Sequence, residues 1–321
     1  MGQKSILVTG GNGFIGAALI QQLAERRIGQ VRAAVRKTVA SCADAETIVV
    51  GGIYGATDWH AALVGVDTVV HAAARVHVMR DVEADALQAF RKVNVDGSLN
   101  LARQAAQAGV KRFVFISSVK VNGEATVAGA PYRAGDMPAP VDAYGLSKLE
   151  AEQGLRQVAL ETGMELVIIR PVLVYGPGVK ANFLSMMKWL YRGVPLPFGA
   201  IDNRRSLVFL FNLVDLIMVC LEHPRAAGET FLASDGEDVS TTQLLCKLAR
   251  ALGKPARLLP VPASWIRALA VMLGRGKVAQ RVLGSLQVDI EKNRELLGWE
   301  PPISLDQGLK LTAQSFRETH Q

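Results

Sequence analysis

At 321 residues the chain can bury one large core or two modest ones, and 50% hydrophobic with 20% charged residues is ordinary for a soluble globular protein. The formal charge of +7, from 36 basic and 29 acidic residues, comes with no basic run interleaved with aromatics. Nucleic-acid binding is therefore not the reading of that charge, and anionic small molecules or an anionic membrane surface account for it as well.

Three cysteines, Cys42, Cys220 and Cys246, have an odd count and no metal-like spacing, which argues for a reduced cytoplasm over a disulfide framework. None of the five histidines pairs with Cys or a carboxylate at ligand spacing, so no metal is expected. No apolar run reaches a membrane span, and an N-terminus that enters a strand almost at once leaves no room for a signal peptide. The expectation is a cytoplasmic chain without stable membrane insertion. Residues 261–273 are apolar and flanked by Arg257, Arg267 and Arg275, a length that suits a buried or interfacial helix.

In chain order, residues 5–9 form a β-branched and aliphatic run followed directly by Gly10, Gly11, Asn12, Gly13, Phe14, Ile15 and Gly16, and then by a helical period over 17–26. Strand, glycine turn and helix in that order point to a dinucleotide site. Gly10 permits the sharp turn, Gly13 lets a pyrophosphate approach the backbone, and Gly16 lets helix and strand pack closely. Residues 31–35, 47–50, 68–71, 113–117 and 165–170 read as further strands, while 86–109 and 142–162 are periodic enough to be crossover helices. The alternation predicts an α/β fold: a Rossmann-type doubly wound parallel sheet with ligands at the carboxyl ends of its strands. Beyond Pro171 the elements shorten and Pro and Gly become more frequent. A dinucleotide-binding domain over 1–170 is therefore expected, with a smaller substrate lobe over 171–321 whose elements partly return to the first domain.

Tyr144 and Lys148 lie four residues apart, on one face of the second crossover helix. A free phenol titrates near ~10. A nearby Lys cation, aided by an oxidised nicotinamide, favours the phenolate and brings it towards working pH. Ser117 and Ser118 end the fifth strand and put a hydroxyl at the carboxyl edge of the sheet. His71, Ala72, Ala73 and Ala74 end the fourth with small residues that let a ribose lie against backbone. Asn94 opens a short motif near the start of the first crossover helix.

Taken together, Thr9-Gly-Gly-Asn-Gly-Phe-Ile-Gly16, His71-Ala-Ala-Ala74, Ser117-Ser118-Val-Lys-Val-Asn-Gly123, Tyr144-Gly-Leu-Ser-Lys148 and Arg170-Pro-Val-Leu-Val-Tyr-Gly-Pro177 resemble the extended short-chain dehydrogenase/reductase family of nucleotide-sugar epimerases, dehydratases and reductases. Leu296-Leu-Gly-Trp-Glu-Pro301 is similar to that family's closing helix and turn, so the likeness spans nearly the whole chain. It implies Ser118, Tyr144 and Lys148 as catalytic residues. For the dinucleotide it implies Gly10, Asn12, Gly13, Phe14, Ile15, Gly16, Arg36, Lys37, Ile53, His71, Ala72, Ala73, Asn94, Ser117, Pro171 and Val174, beside Tyr144 and Lys148. For a UDP-sugar it implies Ser118, Val119, Asn182, Phe198 and Arg205. Arg75, His77 and Arg80 follow strand four on the active-site side, where contact with the sugar and a solvated loop are both open readings. Core packing is an equal reading for Phe198.

Five positions depart from the family pattern. Val119 and Lys120 stand where 4,6-dehydratases carry an acid, which argues against dehydration. Asn122 replaces a family Tyr, Gly52 an Asp that many relatives direct at adenine, and Leu173 a phosphate-binding Asn. Arg36 and Lys37 end strand two without an acid, which favours NADP(H) with NAD(H) as the alternative; Arg36 stacked on adenine is the other reading of that side chain. The leading expectation is thus a C4 keto-reductase of a UDP-4-keto-6-deoxy-N-acetylhexosamine in surface polysaccharide biosynthesis. The alternative is a UDP-glucose or UDP-N-acetylglucosamine 4-epimerase with retained NAD, and a third reading is a non-catalytic dinucleotide sensor. The two long crossover helices offer a four-helix face for a homodimer.

Overall fold

The computed structural model describes residues 4–37, 45–76, 85–127, 129–274 and 276–320. Its elements begin with β1 (Ser5–Thr9), α1 (Phe14–Glu25), β2 (Gln30–Val35), β3 (Glu46–Val49), α2 (His60–Leu63) and β4 (Thr68–His71). Next, α3 (Ala86–Phe90), a π-helical segment (Arg91–Gly97) and α4 (Ser98–Gln107) run end to end before β5 (Arg112–Ile116). α5 (Ala143–Thr162), β6 (Glu165–Pro171), β7 (Leu173–Tyr175), α6 (Ala181–Tyr191), β8 (Arg205–Phe209) and α7 (Leu210–Glu222) follow. The chain closes with β9 (Thr230–Ala233), β10 (Asp238–Val239), α8 (Thr241–Ala251), α9 (Ala263–Met272), α10 (Gly276–Leu283), α11 (Glu291–Leu297) and α12 (Leu305–His320).

Among the described residues seven strands form one parallel sheet in the order β3-β2-β1-β4-β5-β6-β9. This is the Rossmann-type arrangement the sequence predicts, and the six strands read from the sequence lie within a residue of their observed ends. Alternation within β5 shows why such strands read as unbroken apolar runs. Phe113 and Phe115 enter the core beneath α4 and α5, whereas Val114 and Ile116 enter the core shared with α1 and α7. α7 is buried over most of its surface and packs on α1, and β9 pairs with β6 in register Ile168↔Thr230. Both come from the chain beyond residue 171.

The remaining elements build a smaller lobe. A three-stranded sheet, β10-β8-β7, packs with α6, α8 and α12 around Tyr175, Phe183, Phe209 and Leu248. A buried polar knot ties this lobe together. Asp235 accepts from the Tyr175 hydroxyl (2.9 Å), the Asn212 amide (2.7 Å) and the Phe209 backbone N–H (2.8 Å). Burial raises the Asp235 pKa, and burial together with Asp235 itself pushes the Tyr175 phenol up.

Candidate active site

The glycine turn after β1 is shaped by two hard constraints. Gly10 sits at φ +68°, a left-handed conformation that side chains rarely adopt. Gly16 has no room for a Cβ, which would lie 2.2 Å from the Gly10 carbonyl oxygen. The turn closes with Gly13 N–H donating to that carbonyl at 2.7 Å, and Asn12 and Gly13 stay exposed at its tip. Gly13 caps α1 and offers no side-chain acceptor to the helix's first N–H groups. A cradle without side chains at a helix N-terminus fits the pyrophosphate of a dinucleotide. Phe14 and Ile15 are half-buried against the core, and Ala73 backs the turn from β4, 3.1 Å from a Cβ built on Gly10. Ala72 is half-buried beside it. Arg36 and Lys37 are exposed just past β2, while Pro171 is buried at the end of β6 and Val174 half-buried in β7.

At the next carboxyl edge, β5 hands over to Ser117 and Ser118. Ser118 is extended and its hydroxyl accepts from Lys120 N–H at 3.2 Å, opening the 3-10 turn Val119–Val121 in which Val119 is buried. Opposite stands the start of α5, where the Asp142 carboxylate accepts from Gly145 N–H at 2.7 Å. This cap fixes the first turn, and with it Tyr144, whose phenol lies close enough to the Ser118 hydroxyl for that group to oppose the rise that burial gives its pKa. Phe90 meets the Tyr144 ring edge-on at 5.9 Å.

One turn along α5, Lys148 is buried and its Nζ donates to the Ile116 carbonyl at 2.8 Å, lying 4.4 Å from the centre of the Phe115 ring. Burial brings the Lys148 pKa down to about 7, against the pull of Glu152. Burial, then the Asp142 charge, pushes Tyr144 up to about 12, against the opposing effect of Ser118. Asp142 is itself held below the usual carboxylate range. Burial raises it, but hydrogen bonds from Lys120 and the Gly145 N–H outweigh that cost. Lys120 also reaches Glu124 at 3.1 Å, so the cation standing where dehydratases would carry an acid is paired away.

Several expected cofactor contacts point elsewhere. His71 is buried between the Thr9 hydroxyl (2.7 Å) and the Ser98 hydroxyl (2.9 Å), stacks on Phe115, and is brought by burial down to about 3. The Ser117 hydroxyl donates inward to Glu152 at 2.6 Å. Asn94, within the π-helical segment, pairs both ways with the Arg75 backbone and donates to Ser147 at 3.0 Å, so it braces the loop after β4. The Ile53 side chain is spent on core packing against Gly97. These four side chains support the wall of the crevice from within.

In the smaller lobe, Asn182 is exposed in the first turn of α6, and Phe198 packs between two apolar clusters of the lobe. Arg205 directs Nη1 to the carbonyls of Arg281 (2.7 Å) and Gly284 (3.0 Å), which commits that nitrogen to the lobe itself. His77 and Arg80 lie outside the described residues.

Sequence reasoning missed the network beneath the triad. Arg170 donates to both Glu152 oxygens (2.8 and 2.6 Å) and to Asn122 Oδ1 (3.0 Å), with both members of the ion pair buried. Asn122, the departure from the family aromatic, thus has a defined partner. The available signal was spacing: Glu152 lies one turn beyond Lys148, on a helix face that otherwise buries Ala151, Leu155 and Val158.

The model of the NAD dependent epimerase/dehydratase family matches residues 6–233. A UDP-glucose 4-epimerase of Vibrio cholerae is 50% identical over 318 residues, covering 99% of this chain and 97% of that protein. A crystal structure of a UDP-glucose 4-epimerase with UDP-glucose from Thermotoga maritima is 26% identical, with a TM-score of 0.77 and coverage of 99% and 100%. The fold is also that of a UDP-glucuronic acid 4-epimerase from Bacillus cereus in complex with NAD, at 22% identity and a TM-score of 0.78, with coverage of 99% and 100%.

Proposed function

Because the chain belongs to the NAD dependent epimerase/dehydratase family, we propose that this enzyme interconverts UDP-glucose and UDP-galactose by inversion at C4, with NAD retained between turnovers. The relative of 50% identity moves the weight from the expected keto-reductase to the expected alternative, the 4-epimerase. The observation that carries the chemistry is a Tyr144 phenol whose pKa, raised by burial, is drawn down by the neighbouring Ser118 hydroxyl, one helical turn before a buried Lys148. A bound nicotinamide supplies reversible hydride exchange with the sugar carbon.

The chain's own part is to move one proton at the C4 oxygen. Tyr144 takes that proton and later returns it, and Ser118 holds the oxygen while its charge changes. A phenol raised to about 12 is a weak base as it stands. Positive charge on Lys148, and on an oxidised nicotinamide were one bound, would lower that value. The glycine cradle supports retention of the dinucleotide. The exposed Arg36 serves NAD by stacking on adenine, in place of the NADP role expected from strand two. Asn182, Phe198 and Arg205 are the proposed side of the UDP. The wider reading remains a cytoplasmic enzyme that supplies UDP-sugars to surface polysaccharide.

The test is to incubate the purified protein with UDP-glucose and no added cofactor. UDP-galactose should accumulate to equilibrium, and Tyr144→Phe should slow this by roughly 10²–10⁴-fold. No conversion, together with NADPH oxidation on a UDP-4-keto-6-deoxy sugar, would return the keto-reductase.

A further inference from the structure

Helix α9 is anomalous in a folded lobe: none of its residues is buried. Ala263, Ile266 and Ala270 rest on a small cluster formed by Ile201, Ala279 and Leu283. Trp265, Leu269 and Met272, spaced i, i+4, i+7, share the opposite stripe and are 72%, 56% and 79% exposed. Val271 and Leu273 widen the patch. Scattered exposed apolar residues are ordinary, but a Trp, a Leu and a Met aligned on one helix mark a surface meant to be covered.

Charge indicates what covers it. Between Asp238 and Asp289 the chain has eight Lys and Arg residues and not one Asp or Glu, so this stretch alone carries the positive excess of the molecule. Lys247 is answered from outside the stretch by Glu237 and Asp306. Arg257 and Arg267 are exposed, the first just ahead of α9 and the second on it. A second copy meeting this face would bring like charges together. A surface of acyl chains beneath anionic headgroups satisfies both the stripe and the cations. Among the described residues no helix is long and apolar enough to cross a membrane, so contact would be in the plane of the interface.

We propose that α9 docks this enzyme peripherally on an anionic lipid surface through Trp265, Leu269 and Met272, aided by Arg257 and Arg267. The docking helix belongs to the part of the lobe that holds Arg205, whose Nη1 donates to the carbonyls of Arg281, within α10, and Gly284, just after it. Docking therefore presents the substrate lobe to the membrane and leaves the sheet above it.

The test is co-sedimentation of the full chain with large vesicles of 70% phosphatidylcholine and 30% phosphatidylglycerol, against pure phosphatidylcholine, at low and high salt. Binding to the anionic vesicles should be at least about tenfold stronger and should weaken as salt screens the cations. Tryptophan emission should shift to the blue, and the Trp265→Phe chain should lose most of that shift. Leu269→Ser with Met272→Ser should abolish sedimentation while sugar turnover and circular dichroism stay those of the wild type. Wild-type protein left in the supernatant with anionic vesicles would overturn the proposal. Equal sedimentation of the double variant would do so as well, and so would a change from dimer to monomer in that variant by light scattering, which would assign the face to a second copy.

Discussion

Lys148 is a cation kept in a place that does not favour cations. Burial moves its pKa from 10.5 down to about 7, so between those values the unfolded chain binds a proton that the folded chain has released. Stability therefore rises with pH across that window, and at neutral pH the folded state bears most of the burial cost. Lys148→Met should abolish turnover yet stabilise the fold at pH 7 by on the order of 3 kcal/mol, a gain that shrinks by pH 10. Urea titrations at the two pH values check this, and an equal or lower stability at pH 7 contradicts it. Glu152 is the opposite case. It is buried with Arg170 in a bidentate pair, and Glu152→Gln leaves the guanidinium without its counter-charge. Loss of about 3–5 kcal/mol is expected by chemical denaturation. The pairing of Tyr144 with Lys148 was legible from a four-residue spacing on one helix face, whereas Ser118 entered through the family resemblance. Glu152 and Arg170 were not, because a buried ion pair has no spacing rule across a helix and a strand.

The elements tell which patterns reach from sequence to structure. Strand, glycine turn and helix at the N-terminus were legible because each residue there answers a local constraint. Gly16→Ala tests the tightest of them, since its Cβ would meet the Gly10 carbonyl at 2.2 Å and force the turn open. The expected outcome is loss of bound dinucleotide with about 2 kcal/mol lower stability, read by cofactor content and thermal melting. Residues 86–109 read as one helix, whereas the structure inserts a π-helical turn at Arg91–Gly97. That extra residue per turn carries Asn94 round to the Arg75 backbone and to Ser147, and Gly97 lets Ile53 close in. Apolar periodicity averages over such a bulge and hides it. A strand end likewise marks a position in the sheet but not the direction of a side chain, and His71 and Ser117 turn theirs inward.

At the scale of the molecule, a parallel sheet brings the ends of β1, β2, β4, β5 and β6 to one edge, and the smaller lobe closes over it from beyond residue 171. The parallel sheet followed from alternation, while its strand order came from the structure. The return of α7 and β9 was foreseen only in outline, since short runs after Pro171 look alike in sequence and long-range pairing decides their place. What the fold does not decide is whether the dinucleotide stays or exchanges, and that separates a 4-epimerase from a keto-reductase. The most direct measurement is therefore to denature freshly purified protein, with no cofactor added, and to quantify the nucleotide released. Close to one NAD per chain, not displaced beforehand by excess NADPH, is the predicted result. Empty protein that then binds NADPH far better than NADH, with the preference lost in Arg36→Ala, would contradict it.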